Sequence, residues 1–475
     1  MSKRITLKLI IISFLGLLLW IPLLLEQGVI YERMSYRSQV VSDIASKWTG
    51  QQTITGPIAV IPWQMEYQEN RWSEKDKIYK VVTQKKSGKY LLLPTQLNSQ
   101  ADIKNDTRSR GIYQIPVYSG SISINAEFSN SALLKYKQQI EKKYKGQLRW
   151  GQAKVAVLIS DMRGIVSEPD ATWENSALKF IAGSGIKANI QGISAEIPNF
   201  ITEKLKSTTL SLSMPIKGME KLLLTPTGDN SHISMSSDWP HPSFTGRHLP
   251  TDYKISEEGF TSNWNTSPFA GDLKAVLNEC QTNSYCNLNS YAVGAEFIDP
   301  VDMYSQAERA IKYGLLFIAV TFMLFFLFEV LKKLQIHPIQ YGMVGMALAL
   351  FYLLLLSLSE HIPFIWAYTI ATGACSSLLG FYLSSVLKST QRGGWFAAGI
   401  TALYGLLYMI ISSENFALLM GSILIFSTLA IGMLTTRKVD WYQLNSGIDK
   451  KQNGEQHSSN MTENAKEDAL AQQQK

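Results

Sequence analysis

Five long apolar runs crowd the last third of this chain, at residues 313–331, 339–358, 362–387, 395–412 and 416–434, and a sixth, 9–25, stands near the start. About 20 consecutive apolar residues are what a helix needs to cross the hydrocarbon of a bilayer. Lipid offers the backbone no hydrogen-bond partner, so runs of this length fold as helices. Bulk composition hides the pattern: 46% hydrophobic residues over 475 positions would suit a soluble protein. The expected fold is therefore an α-helical transmembrane bundle plus a large β-rich, antiparallel sandwich-like domain. The expected division is an N-terminal anchor at 1–25, the outer domain at 26–312, a five-helix bundle at 313–436 and a tail at 437–475.

Residues 9–25 follow Lys3, Arg4 and Lys8, as a cleaved secretory signal would. Pro22 and the absence of an A-x-A-like cleavage site favour a retained anchor. The net charge of +7 comes from 45 Lys and Arg against 38 Asp and Glu, and it is not gathered into a patch or tail, so no nucleic-acid partner is expected. The basic residues sort by topology instead. Lys3, Arg4, Lys8, Lys332, Lys333, Lys388, Arg392, Arg437 and Lys438 flank one side, while the short loops on the other side carry Glu360 and Glu414 and no Lys or Arg. The positive-inside rule then puts both termini in the cytoplasm and residues 26–312 outside. Small residues four apart, Gly373 with Ser377 and Ser376 with Gly380, suit close helix packing.

In the outer domain, Ile30, Met34, Val41, Ile44 and Trp48 form one apolar stripe, so a leading helix is expected over 30–48. Beyond it, stretches at 56–62, 89–93, 112–118, 121–128, 154–160, 208–214 and 232–236 read as short strands punctuated by turn residues, with one helix over 131–144. Residues 91–95 (LLLPT) and 222–227 (LLLTPT) are weakly alike, which leaves an internal duplication open. The tail from 445 onward is too polar to bury a core and is expected to be disordered.

Candidate sites are few. No phosphate loop, zinc-binding helix pair or nucleophile elbow is present, and Ser184 between two glycines is an ordinary turn pattern. No cofactor and no metal site are expected. Residues 237–250 (SDWPHPSFTGRHLP) hold three prolines and are expected to form an exposed, rigid loop rather than a regular element. Asp238, Trp239, His241, Phe244 and Arg247 are its candidate partner-binding residues. The competing reading makes Trp239 and Phe244 caps on the sandwich core, with His241 bonding backbone. In the bundle, intramembrane or interfacial polar candidates are Glu329, Glu360 and His361. Glu329, one turn from Lys332 and Lys333, is close enough to the interface to snorkel or to pair with lysine, and Glu360 with His361 is placed to form a proton-sensitive pair or a solvated helix end. Cys280 and Cys286 fall in the outer, oxidising compartment and are candidates for a disulfide, with two free thiols as the alternative. Cys375 reads as inert packing.

Several of these stretches together resemble the CreD family of inner-membrane proteins, also called cell-envelope integrity proteins. They are GPIAVIP at 56–62, DMRGI at 161–165, SDWPHPSF at 237–244, Gly259 with Phe260, HPIQY at 337–341 and FYLLLLSLSEH at 351–361. The resemblance spans roughly residues 5–442. It implies a multi-pass protein of the bacterial inner membrane that supports envelope integrity and envelope-stress tolerance under control of a two-component system. It supplies no catalytic residue. The expected function is non-enzymatic, with the bilayer and an unknown envelope protein or cell-wall component as partners. A transporter or channel gated by the outer domain is the alternative, and an enzyme acting on envelope material a more distant one.

Overall fold

A computed structural model describes residues 3–74, 77–187, 190–200, 204–271, 273–282, 289–297, 303–332, 336–412 and 417–437. The tail expected to be disordered and Cys286 lie outside these residues. Among them, six helices are long and apolar enough to cross a membrane. The chain divides into two compact units, Met1–Tyr36 with Val301–Lys475, and Arg37–Pro300.

The first unit holds α1 (Lys3–Leu18), the start of α2 (Trp20–Lys47), and α5 (Met303–Lys332), α6 (Pro338–Ser359), α7 (Phe364–Val386), α8 (Thr390–Ser412) and α9 (Ala417–Thr436). Two expectations need correction. The leading helix does not begin at residue 30. It continues the first membrane segment, with a break only at Leu19, whose amide still donates to the Leu15 carbonyl. Pro22 explains the break: it has no N–H to give the carbonyl four residues back, and its ring crowds that carbonyl. Secondly, α5 starts at Met303, ten residues before the apolar run at 313. Hydropathy misses this turn because Glu308, Arg309 and Lys312 lie in it, yet Tyr304, Ala307, Ala310 and Ile311 are buried and Lys312 pairs with Glu308 at 2.9 Å. Of the two small-residue pairs, Ser376 with Gly380 packs as spacing suggests, a Cβ on Gly380 sitting 2.9 Å from Ala397 of α8, whereas Gly373 and Ser377 are exposed and a Cβ on Gly373 would meet nothing within 4 Å.

The second unit is a two-sheet sandwich. In the first sheet the strands run β14 (Pro242–Gly246), β17 (Val293–Phe297), β12 (Lys221–Thr225), β1 (Gln52–Ser73), β6 (Lys154–Ile159), β10 (Gly192–Glu196) and β9 (Phe180–Ala182). β2 (Ile78–Leu92) and β5 (Gln147–Trp150) also pair with β1. The second sheet runs β15 (Asp252–Ser256), β16 (Gly259–Thr266), β13 (Asn230–Ser237), β3 (Gln96–Arg110), β4 (Tyr113–Ser129), β11 (Ser207–Met219), β7 (Asp170–Trp173) and β8 (Ser176–Ala177). The helix expected over 131–144 is α3 (Ser131–Tyr144), and α4 (Leu273–Thr282) lies near the C-terminal edge of this unit's sequence. The pairing is not wholly antiparallel, as had been expected: β1 with β12 and β3 with β13 are parallel. The reason lies in the two similar stretches. Residues 91–95 and 222–227 each carry the chain from the first sheet to the second, and a strand that arrives by crossover lies alongside its neighbour instead of folding back as a hairpin.

The main core fills the space between the sheets, with Ile54, Ile61 and Val155 of one facing Leu97, Ile124 and Met235 of the other. β1 has a second buried face, where Ile58 and Val60 join Leu91, Leu273 and Leu277. Burial on both sides is why residues 56–61 read as a continuous apolar run rather than an alternating one. Gly259, of the family-like pair with Phe260, has φ +132°, and a Cβ there would lie 2.0 Å from the Ser237 carbonyl oxygen. Only glycine fits.

The family-like stretch 161–165 is a clamp. Asp161 accepts hydrogen bonds from the Gly50 amide at 2.9 Å, the Arg163 amide at 3.1 Å and the Arg163 guanidinium, which in turn donates to the Ser46 carbonyl at the end of α2. The guanidinium and the two amides hold the Asp161 carboxyl well below the usual carboxylate range. A group with a depressed folded pKa stabilises fully above the unfolded value, near 3.9, and that contribution is lost as pH falls below it. Asp161→Asn should therefore cost about 1–3 kcal/mol at pH 7. In unfolding titrations, the gap from wild type should shrink below about pH 4. A gap independent of pH would remove the carboxylate's charge from this account.

Candidate functional site

The structure separates the five residues expected to bind a partner. Asp238 accepts from the backbone and side-chain amides of Asn105, at 2.8 and 2.9 Å, and so fastens the end of β13 to β3. Trp239 is half-buried against the sandwich core, and its Nε1 donates to the His241 carbonyl at 3.1 Å. Phe244 belongs to β14, whose backbone pairs with β17, and its ring lies 5.3, 5.6 and 5.9 Å from those of Tyr253, Phe260 and Trp264. The expected irregular loop is thus partly a strand. Pro242 is its first residue on an edge of the sheet, where a missing N–H is tolerated. His241 is exposed.

Arg247 leads elsewhere. It follows β14, its amide bonded to the Ala292 carbonyl at 2.9 Å, and its guanidinium stacks on the Tyr291 ring at 4.4 Å. Gly271 makes room for the stack, since a Cβ there would lie 2.7 Å from Tyr291 and 3.4 Å from Arg247. Among the described residues Arg247 has no ion-pair partner. The stack walls a cleft of about 280 Å³ at the point where residues 226–229 cross between the sheets. Leu93 and Leu273 supply apolar floor, and Lys274 pairs with Asp229 at 2.8 Å on the rim. Two buried polar atoms here have no partner among the described residues: Thr227 Oγ1, on a residue 1% exposed, and His248 Nε2. A guanidinium stacked on a ring keeps its in-plane N–H groups available for an anion. The cleft therefore presents one unpaired cation, two unsatisfied polar atoms and an apolar base.

The membrane unit holds polar groups at two ends. Glu329, 7% exposed, accepts from Tyr341 Oη at 2.8 Å, the Ile336 amide at 3.1 Å and the Lys8 ammonium, which also donates to the Ile336 carbonyl at 2.6 Å. Among the described side chains its lysine partner is Lys8 of α1; the expected partners, the Lys332 side chain and Lys333, lie outside them. At the other end Glu360 pairs with Arg33 at 3.3 Å and accepts from the buried Tyr304 hydroxyl at 3.4 Å. No bond joins Glu360 to His361, which is exposed. Side chains three or four apart meet on one helix face, but Glu360 and His361 are adjacent at a helix end and diverge.

Sequence reading overlooked Glu26. It counted as a flank of the run 9–25, yet it is 6% exposed within the bundle and its Oε2 has no partner among the described residues. Cys280 lies in the last turns of α4, while the proposed bridge to Cys286 falls outside the described residues. Cys375 is buried and free. Tyr291, Thr227 and Lys274 were also overlooked, and nothing in their local sequence marks them.

The family description "Inner membrane protein CreD" matches residues 4–442. The inner membrane protein CreD of Escherichia coli (strain K12) is 34% identical over 428 residues, covering 90% of this chain and 91% of that one. Among solved structures, the M1 zinc metallopeptidase of Deinococcus radiodurans is 9% identical over 37% of this chain and 38% of that one, with a TM-score of 0.19. That likeness is too slight to bear on fold or chemistry. With its six apolar helices and β-rich domain matched along nearly the whole length, this chain belongs to the CreD family of inner membrane proteins.

Proposed function

We propose that this protein supports cell-envelope integrity and envelope-stress tolerance without catalysis, with both termini in the cytoplasm and residues 37–300 in the periplasm. In this reading the Arg247 cleft binds an envelope component or a partner protein. The observation that carries it is the stacked, unpaired Arg247 beside two buried polar atoms without partners. Leaving a buried donor or acceptor unsatisfied costs about 1–3 kcal/mol, which a bound polar group would recover. Arg and aromatic residues together are also the usual makings of a binding hot spot. The cleft replaces Trp239 and Phe244 as the binding element, since those rings serve the core.

Arg247→Glu and Tyr291→Ala are each expected to weaken binding by about 2 kcal/mol, roughly thirtyfold. Cells carrying either variant should lose envelope-stress tolerance while the protein stays at wild-type abundance in the membrane. Full tolerance in both variants at normal abundance would sink the proposal.

A specific observation keeps the transporter reading in view. Glu26 sits inside the bundle with an unpartnered carboxyl oxygen, and buried ionisable groups in membranes often mark transport pathways. If transport is the function, Glu26→Gln removes tolerance and Arg247→Glu leaves it intact.

A further inference from the structure

We propose that the groove between α5 and α8 holds one acyl chain of an anionic phospholipid, with the headgroup phosphate on Arg392. The groove has a volume of about 210 Å³ and is lined by Thr321, Leu324 and Phe328 of α5 and by Arg392, Trp395 and Gly399 of α8, among others. Its wall is almost wholly apolar, with Arg392 as its only charged lining residue among those described. Arg392 stands near the start of α8, at the end of the bundle where Lys388 occupies the turn from α7. Among the described residues neither cation has an ion-pair partner.

Trp395 is 80% exposed one turn beyond Arg392, and it lines the same groove. An amphipathic ring beside a cation at a helix end is the pattern of a membrane interface. From Arg392 the groove follows α8 to Leu403, a rise of roughly 16 Å at 1.5 Å per residue. That length suits much of an acyl chain. Its floor opens at Gly399, where an added Cβ would meet nothing within 4 Å.

The apolar wall alone gives no headgroup preference, because every phospholipid offers an acyl chain. The preference comes from Arg392, since a basic residue at a pocket between membrane helices favours an anionic headgroup about fivefold.

The test uses full-length protein reconstituted in phosphatidylcholine vesicles, titrated with phosphatidylglycerol or phosphatidylcholine carrying brominated chains that quench nearby tryptophan. Wild-type protein should show at least about fivefold stronger apparent binding of the brominated phosphatidylglycerol, and Trp395→Phe should remove the preferential part of the quenching. Arg392→Gln should abolish the headgroup preference. Gly399→Leu, which fills the groove where space exists, should abolish preferential quenching with Arg392 intact. Equal quenching by the two lipids in wild type, or a preference that survives both Arg392→Gln and Gly399→Leu, would overturn the proposal.

Discussion

Replacing Glu329 by alanine is expected to destabilise the membrane bundle by roughly 3–5 kcal/mol, because it leaves the Lys8 ammonium partly buried without a counter-charge. The same change orphans the Tyr341 hydroxyl and the Ile336 amide, whose acceptor is Glu329. Removing both charges together, as Lys8→Met with Glu329→Met, should recover much of the loss, since a buried ion pair and an apolar replacement are often close in stability. Thermal unfolding of detergent-solubilised protein measures both. A single Glu329→Ala variant as stable as wild type would show that α1 is not anchored to α5 and α6 through this carboxylate.

The second large effect concerns Phe244. Its ring is one of four aromatic rings contributed by β14, β15 and β16, so Phe244→Ala should cost about 3 kcal/mol, toward the lower end for a lost core phenylalanine because the residue is only half-buried. Protein abundance in the membrane should fall accordingly. Arg247→Ala, three residues away on the surface, should change stability by no more than about 0.5 kcal/mol. This contrast separates a core role from a binding role within one stretch of sequence. Equal loss of abundance in both variants would mean that Arg247 holds the fold, and its place in a binding cleft would have to be given up.

How much of this could be read from the sequence depended on whether the signal was local. Apolar runs are local, and they marked the membrane helices. Where a helix carried charge, as at Glu308 to Lys312 on α5, the run started late. Alternating stretches such as 121–128 stood out as strands, whereas β3 did not. Its inward positions include Ser99 and Ala101 among a mainly polar sequence, and its burial alternates because one face packs on the opposite sheet. The 237–250 stretch drew notice for its prolines and aromatics, but those features describe a turn onto an edge strand and a cap on the core. Arg247 was picked out with them as part of that stretch, and the role proposed for it rests on its place beside Tyr291, Thr227 and Lys274. Those residues come from separate stretches that meet only after both sheets have formed. Lys8 and Glu329 are similarly far apart in sequence; Glu329 stands out in its apolar run, but nothing beside it marks Lys8 as its partner.

The most direct test of the account places a photo-crosslinking amino acid at position 247 in intact cells, with position 181, an exposed residue of β9, as the control. Irradiation under envelope stress should yield a discrete adduct at 247, absent at 181 and lost when Tyr291 is replaced by alanine. The captured species should be a periplasmic or cell-wall component. An equal adduct at both positions, no adduct at 247, or capture of cytoplasmic proteins alone would contradict the assignment of this cleft as a periplasmic binding site.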